Sequence, residues 1–169
     1  MDRRTVEVIR KKLAYLEQIL AEVAPYLRLR YETYVKRLAY PRATERLVQI
    51  IVEAVGDTSE LLLQASGRPA PGSMREALNG IRELGVIDAE LFERFNRTYI
   101  GLRNRIVHDY EVLDTRILFN SARRLRTDAA AFLRAVTRYL ATPGSRKTGH
   151  GRERSERGKS LPPRRPSQR

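Results

Sequence analysis

PRATERLVQIIVEAVGDTSELLLQASG, residues 41–67, decides the fold. Its apolar residues Leu47, Ile50, Ala54, Leu61 and Ala65 recur at helical spacings, which on a helix places them on one face and on a strand would scatter them over both. Pro41 suits the first turn, where its missing N–H leaves no hydrogen bond unmade, and Gly67 suits the C-terminal stop. The stretch therefore predicts one long helix.

The same period runs outward in both directions. Upstream, Val6, Ile9, Leu13, Leu16, Leu20 and Val23 form a stripe that Pro25 is expected to end, and a shorter piece spans Tyr31 to Ala39. Downstream, GRPAPGS (67–73) is a loop by its Pro and Gly content, and Ser73 with Glu76 resembles a capping box for a helix through Leu84, stopped by Gly85. Asp88 is an N-cap for the next helix, with the stripe Phe92, Phe95, Tyr99, Leu102 and Ile106. Asp114 caps a last long helix, with Leu118, Ala122, Leu125, Ala129, Phe132, Val136 and Tyr139 facing inward. Pro143 and Gly144 close the domain.

Long helices with short connections predict an all-α fold: an antiparallel bundle of four main helices plus one or two short ones, over residues 1–141. The nearly heptad stripes fit a homodimer as well as purely internal packing.

The chain has 169 residues and a formal net charge of +13, unevenly spread. Residues 142–169 hold nine Lys/Arg and two Asp/Glu, or +7, which leaves 24 minus 18, or +6, for residues 1–141. TPGSRKTGHGRERSERGKSLPPRRPSQR has too few apolar residues to order itself and is expected to be a disordered basic tail, either a solubilising extension or a nucleic-acid-binding arm. His150 within it reads as a bystander. Cysteine is absent, which excludes disulfides, zinc–thiolate sites and cysteine nucleophiles, and fits a cytoplasmic protein. No stretch has the continuous apolar run of a membrane span. No metal or other cofactor is expected.

The chemistry concentrates in GLRNRIVHDY, residues 101–110, at the end of the penultimate long helix. Arg103 presents a planar fork of donors matched to phosphate oxygens, and His108 carries an imidazole, which can both accept and donate a proton. Together they could cleave a phosphodiester without a metal, His108 as base or acid for a ribose 2′-hydroxyl and Arg103 against the charge developing on phosphorus. Asn104, one turn before His108, could orient the imidazole or bind the phosphate. On an ideal helix, positions five apart point about 140° apart, so Arg103 and His108 share a face only if the helix ends or kinks between them. A cleft shared across a dimer axis removes that difficulty. Equally, an Arg-rich helix end is favoured by the helix dipole, and a histidine there can be one more cation. Glu53 and Asp57 lie one turn apart on the long helix, Asp57 where the apolar stripe would otherwise continue. The pair either holds Arg103 or His108 in place or makes surface ion pairs with an arginine such as Arg46 or Arg82.

RNRIVHDY matches an R-x4-H-x-Y pattern, with Arg103, His108 and Tyr110 in register, and resembles the motif of HepT-like proteins, the toxin members of the HEPN superfamily. ERLVQIIVEAVGD resembles that family's central helix, and the likeness extends over residues 1 to about 140. The resemblance implies an α-helical dimer with a metal-independent endoribonuclease site at the interface, Arg103 and His108 catalytic and Asn104 supporting. It also implies a cognate MNT-type nucleotidyltransferase antitoxin that in some systems transfers AMP to the motif tyrosine, here Tyr110. The basic tail lies outside the pattern.

Two functions of different class follow. One is an RNA-cleaving toxin. The other is a non-catalytic helical partner that binds and regulates a nucleotidyltransferase, for which a full Arg103, Asn104, His108 and Tyr110 set would have no chemical need. Nucleic-acid binding through the tail alone is a third reading.

Overall fold

The computed structural model describes residues 1–108 and 113–142. Among these there is no strand. The helices are α1 (Arg3–Arg28), α2 (Tyr31–Tyr34), α3 (Ala39–Ala65), α4 (Met74–Glu83), α5 (Ala89–Arg94), α6 (Ile100–His108) and α7 (Thr115–Ala141), with a π-helical segment, Phe95–Tyr99, joining α5 to α6. The α5–π–α6 run is one unbroken helix. It forms with α1, α3 and α7 a four-helix bundle to which the short α2 and α4 are added.

The expected caps are in place. Asp88 accepts from the Leu91 N–H at 2.7 Å and Asp114 from those of Arg116 and Ile117 at 2.7 and 3.1 Å; Asp2, which the sequence did not single out, does the same for Thr5 at 2.9 Å. Each satisfies an N–H that the first helical turn leaves without a partner. Ser73 accepts from the Glu76 N–H at 3.2 Å, but the Glu76 carboxylate bonds to the Gly72 N–H at 2.7 Å rather than to Ser73, one residue off the reciprocal capping box. Gly67 and Gly85 have φ of 74° and 72°, the left-handed stop that glycine supplies without strain.

The core is one continuous cluster that includes Ile9, Leu16 and Val23 of α1, Val52 and Leu62 of α3, Phe95 and Tyr99 of the π segment, and Leu125 and Phe132 of α7. The rings of Tyr31 and Tyr34 lie 5.6 and 4.7 Å from that of Phe119, so the end of α1–α2 meets the start of α7 and the two long helices run antiparallel. Burial pushes the Tyr34 phenol up to about 12, because the phenolate would lose its hydration.

Four features depart from the sequence expectation. Pro25 does not end α1, which runs on to Arg28. Pro25 is exposed and sits in the last turn, where the carbonyl it frees can be solvated. The short piece expected to reach Ala39 is the single turn Tyr31–Tyr34, and Ala39 already belongs to α3. On α3 the fully buried apolar residues are Val48, Ile51, Val52, Val55 and Leu62, whereas of the expected stripe only Ala54 is buried and Leu47, Ile50, Leu61 and Ala65 are half-buried. The reason is that α1, α4, α6 and α7 all pack on α3, so its buried arc is broader than a stripe. Within that arc the hydroxyls of Thr44, Thr58 and Ser59 turn back onto the carbonyls of Tyr40, Ala54 and Val55 at 2.7–2.9 Å, which keeps buried polar atoms bonded. Finally, the helix after Asp88 carries the π segment, whose i→i+5 bonding widens the turn and keeps Leu91, Phe95 and Tyr99, spaced four apart, on the core side.

The π segment is tied to α7 by a buried polar group on the apolar side of that helix. Asp128, 8% exposed, accepts a hydrogen bond from the Tyr99 hydroxyl and pairs with Arg94 Nε at 3.0 Å. Burial raises the Tyr99 pKa, and the bond to Asp128 together with its charge raises it further. Asp128→Ala would leave the Tyr99 hydroxyl buried without an acceptor and Arg94 without its inner partner, at a cost of about 3 kcal/mol, equivalent to roughly 10 °C in Tm. Asp128→Asn retains an acceptor and should lose less than half of that. Equal melting temperatures for Asp128→Ala and wild type in calorimetry would show that the group is not holding the π segment.

Candidate active site at the end of α6

The site is built on α6 and on the outward side of α3. α6 remains α-helical through His108, so no kink brings His108 round to Arg103. The two residues point to different sides of one helix, as the ideal period requires. Arg103 leans toward α3 and is only 29% exposed at its side chain; His108 and Asn104 face solvent.

Arg103 is held from across the bundle. Its Nη2 donates to Glu53 Oε1 at 2.9 Å, and its Nη1 approaches Asn104 Oδ1 at 3.4 Å. Glu53 is itself fixed by the Gln49 amide, which donates to Oε1 at 3.0 Å. Burial opposes ionisation of Glu53, but the hydrogen bonds from Gln49 and Arg103 and the charges of Arg103 and Arg46 outweigh it, so its pKa lies below the usual carboxylate value. The sign follows: the clamp is intact at neutral pH and loosens only as acid titrates Glu53 through that lowered value.

Of the paired carboxylates expected to support the site, Glu53 contacts Arg103 and Asp57 does not. Asp57 is 59% exposed at its side chain and accepts from Lys12 Nζ of α1 at 2.8 Å. It lies off the buried arc because that arc is rotated from the stripe on which the expectation rested. Neither carboxylate pairs with Arg82, which instead bonds Asn79 Oδ1 at 3.1 and 2.7 Å.

Beside Glu53, α1 and α3 enclose an open groove of about 210 Å³ lined by Lys12, Tyr15, Arg46, Ile50, Glu53 and Asp57. Tyr15 is 47% exposed there, and Val107, next to His108, is 37% exposed. Of the groove residues, Lys12 and Tyr15 escaped the sequence reading because they lie off the apolar stripe of α1, where nothing marks a charged or aromatic residue as lining a cleft. Among the described residues no three His, Asp or Glu side chains gather as metal ligands. Nor is any described helix long and apolar enough to cross a membrane. Tyr110 and the tail from residue 143 lie outside the described residues.

Chemically, the arrangement offers a positioned guanidinium with unused donors, an amide beside it, and an imidazole exposed at the same helix end. That combination suits an anionic oxygen and a nearby proton transfer.

Comparison with known proteins gives concordant findings. The profile of the family described as "Ribonuclease HepT-like" matches residues 6–136. The chain is 23% identical over 135 residues to the tRNA nuclease HepT of Aphanizomenon flos-aquae (strain 2012/KM1/D3), covering 80% of this chain and 91% of that protein. In three dimensions it is similar to a crystal structure of a toxin–antitoxin with AMP-PNP (TM-score 0.71, 17% identity, covering 78% of this chain and 98% of that one). It is equally similar to the tri-AMPylated Shewanella oneidensis HEPN toxin in complex with MNT antitoxin (TM-score 0.71, 18% identity, covering 82% of this chain and 99% of that one). At these identities the structural likeness is one of fold.

Proposed function

This chain belongs to the ribonuclease HepT-like family, and on that premise we propose that it is the toxin of an MNT/HepT-type toxin–antitoxin pair, a metal-independent endoribonuclease acting on RNA. The observation that carries the reading is the Glu53–Arg103 clamp: it fixes a phosphate-binding fork on the helix that ends in an exposed His108.

His108 takes the proton of a ribose 2′-hydroxyl. The 2′-oxygen then bonds to phosphorus, the bond from phosphorus to the 5′-oxygen breaks, and an imidazolium returns a proton to that oxygen. Arg103 stabilises the charge on the phosphoryl oxygens, and Asn104 supplies a further hydrogen bond to the phosphate or the imidazole. The products are a 2′,3′-cyclic phosphate and a free 5′-hydroxyl. Because Arg103 and His108 point to different sides of α6, the working cleft is shared between two copies of the chain, each facing the other with its motif helix. A symmetric homodimer brings the Arg103 of one copy and the His108 of the other into one cleft. The half-exposed Tyr15 and Val107 give such a face apolar contact area.

The partner is a nucleotidyltransferase of MNT type, and Tyr110 is the residue to which it transfers AMP. The relative from Shewanella oneidensis is described as AMPylated and bound to its MNT antitoxin, which is the precedent for this assignment.

Glu53→Gln tests the clamp itself. The amide keeps the shape but weakens a charge-assisted bond, so Arg103 loses orientation rather than existence. We expect RNA cleavage to fall about tenfold with little change in Tm, and Asp57→Asn to leave cleavage unchanged. A Glu53→Gln protein as active as wild type would remove Glu53 from the site. Separately, an RNA carrying 2′-deoxyribose at the scissile position should resist cleavage, since it lacks the nucleophile. Cleavage of that substrate at the normal rate would require an external water and a different mechanism.

A further inference from the structure

Outside α7 several basic residues of the bundle are answered by acids. Lys11 pairs with Glu7, Lys12 with Asp57, Arg42 with Glu45, Arg68 with Glu83, Arg97 with Glu93 and Arg103 with Glu53. α7 offers its arginines no such acid. It carries Arg116, Arg123, Arg124, Arg126, Arg134 and Arg138, and the one acid in it, Asp128, is buried and turned inward to Arg94 and Tyr99. Among the described residues none of the six lies within salt-bridge distance of a carboxylate. Glu17 of α1 lines the groove beside Arg126 and Arg134 without pairing with either.

The placement of these arginines is regular. At ~100° per residue, Arg116, Arg123, Arg134 and Arg138 fall within about 60° of one another on the exposed side of the helix, and at ~1.5 Å per residue the row is roughly 33 Å long. All four are exposed. Two are braced by aromatic rings: the Arg116 guanidinium lies 4.0 Å from the Tyr31 centroid and that of Arg123 lies 5.7 Å from the Phe119 centroid. Rows of like charge cost a helix a few tenths of a kcal/mol per neighbouring pair, so an unneutralised row is not a device for stability. Every cation in it is arginine, whose fork fits phosphate oxygens two at a time.

We propose that the outward face of α7 is an RNA-docking ridge, separate from the Arg103–His108 site, that grips the phosphate backbone of the substrate. The choice of RNA among polyanions rests on the ribonuclease reading. Arg116 follows His108 by eight residues, so a fully extended connection would put it no more than about 28 Å away, within the span of a folded RNA. The other end of the ridge leads directly into the +7 segment of residues 142–169, which extends the same sign of charge along the chain.

The test compares the full-length His108→Ala protein, which binds without cutting, with the same protein carrying Arg116→Gln, Arg123→Gln, Arg134→Gln and Arg138→Gln. Binding of a fluorescently labelled transfer RNA is measured from 50 to 300 mM salt. Loss of four phosphate contacts should weaken binding about tenfold or more at the low end and lower the slope of log K against log salt by about 3. The tail is present in both proteins, so the difference reports the ridge. Replacing the same four residues with lysine should restore most of the affinity, which separates loss of charge from loss of fold. Unchanged affinity and slope would make the ridge an ordinary solvated face. Unchanged RNA binding with loss of the nucleotidyltransferase partner would make it a protein interface; either result overturns the inference, as would failure of the parent protein to bind RNA at all. Ridge-dependent binding by a chain whose His108-containing form never cuts RNA would retire the ribonuclease reading and leave the ridge standing.

Discussion

Arg103→Ala and His108→Ala should each lower RNA cleavage by about 10²–10⁴-fold and abolish growth inhibition, with the bundle intact. His108 is exposed at a helix end, so its truncation removes no core contact. Arg103→Ala breaks the bond to Glu53, but Glu53 is 37% exposed at its side chain and keeps the Gln49 amide, so the loss of stability should stay near 1 kcal/mol. The shared cleft adds a sharper expectation. Mixing the two inactive proteins and allowing subunits to exchange creates heterodimers in which one copy supplies Arg103 and the other His108, and part of the activity should return. Inactive mixtures despite confirmed exchange would place both residues of a working site in one copy. Fully active, folded single variants would remove the site altogether.

The second large effect is expected at Tyr110. Transfer of AMP to its phenol would put a bulky group and a negative phosphate two residues from His108, where an RNA phosphate must bind, and block it by size and repulsion together. Co-expressed with an active nucleotidyltransferase partner, the wild-type protein should gain about 329 Da per AMP and lose toxicity. Tyr110→Phe keeps the ring but offers no hydroxyl, so it should stay unmodified and toxic in the same cells. Wild-type protein that is neutralised at its unmodified mass would show that the partner silences by binding, and would leave the ribonuclease reading untouched.

Most of the fold was legible because caps and period are local. Gly67, Asp88 and Asp114 act on neighbours two to five residues away, so nearby sequence suffices to place those helix ends. What was not legible depends on neighbours far along the chain. The stripe on α3 was rotated from its true buried arc because four helices wrap it, which no local period records. Asp57 was misplaced for the same reason, and its real partner, Lys12, lies 45 residues earlier. The π segment could not be foreseen, since its residues also suit an ordinary helix. Asp128 stands outside the stripe of the last helix, and its role becomes evident only when the fold brings Tyr99 and Arg94 to it. At the site, Arg103 and His108 were marked by their chemistry, whereas the specific pairing of Arg103 with Glu53, fifty positions apart, needed the bundle to show it.

Arg103 and His108 are proposed to cut RNA without a metal. The measurement that tests this most directly is cleavage of RNA by the purified wild-type protein in excess EDTA, beside a His108→Ala preparation made identically, with the new ends identified by mass spectrometry. Cleavage is expected from the wild type alone, leaving 2′,3′-cyclic phosphate and 5′-hydroxyl ends. Cleavage that stops with EDTA and returns with magnesium, or that is equal in the two preparations, would contradict this mechanism.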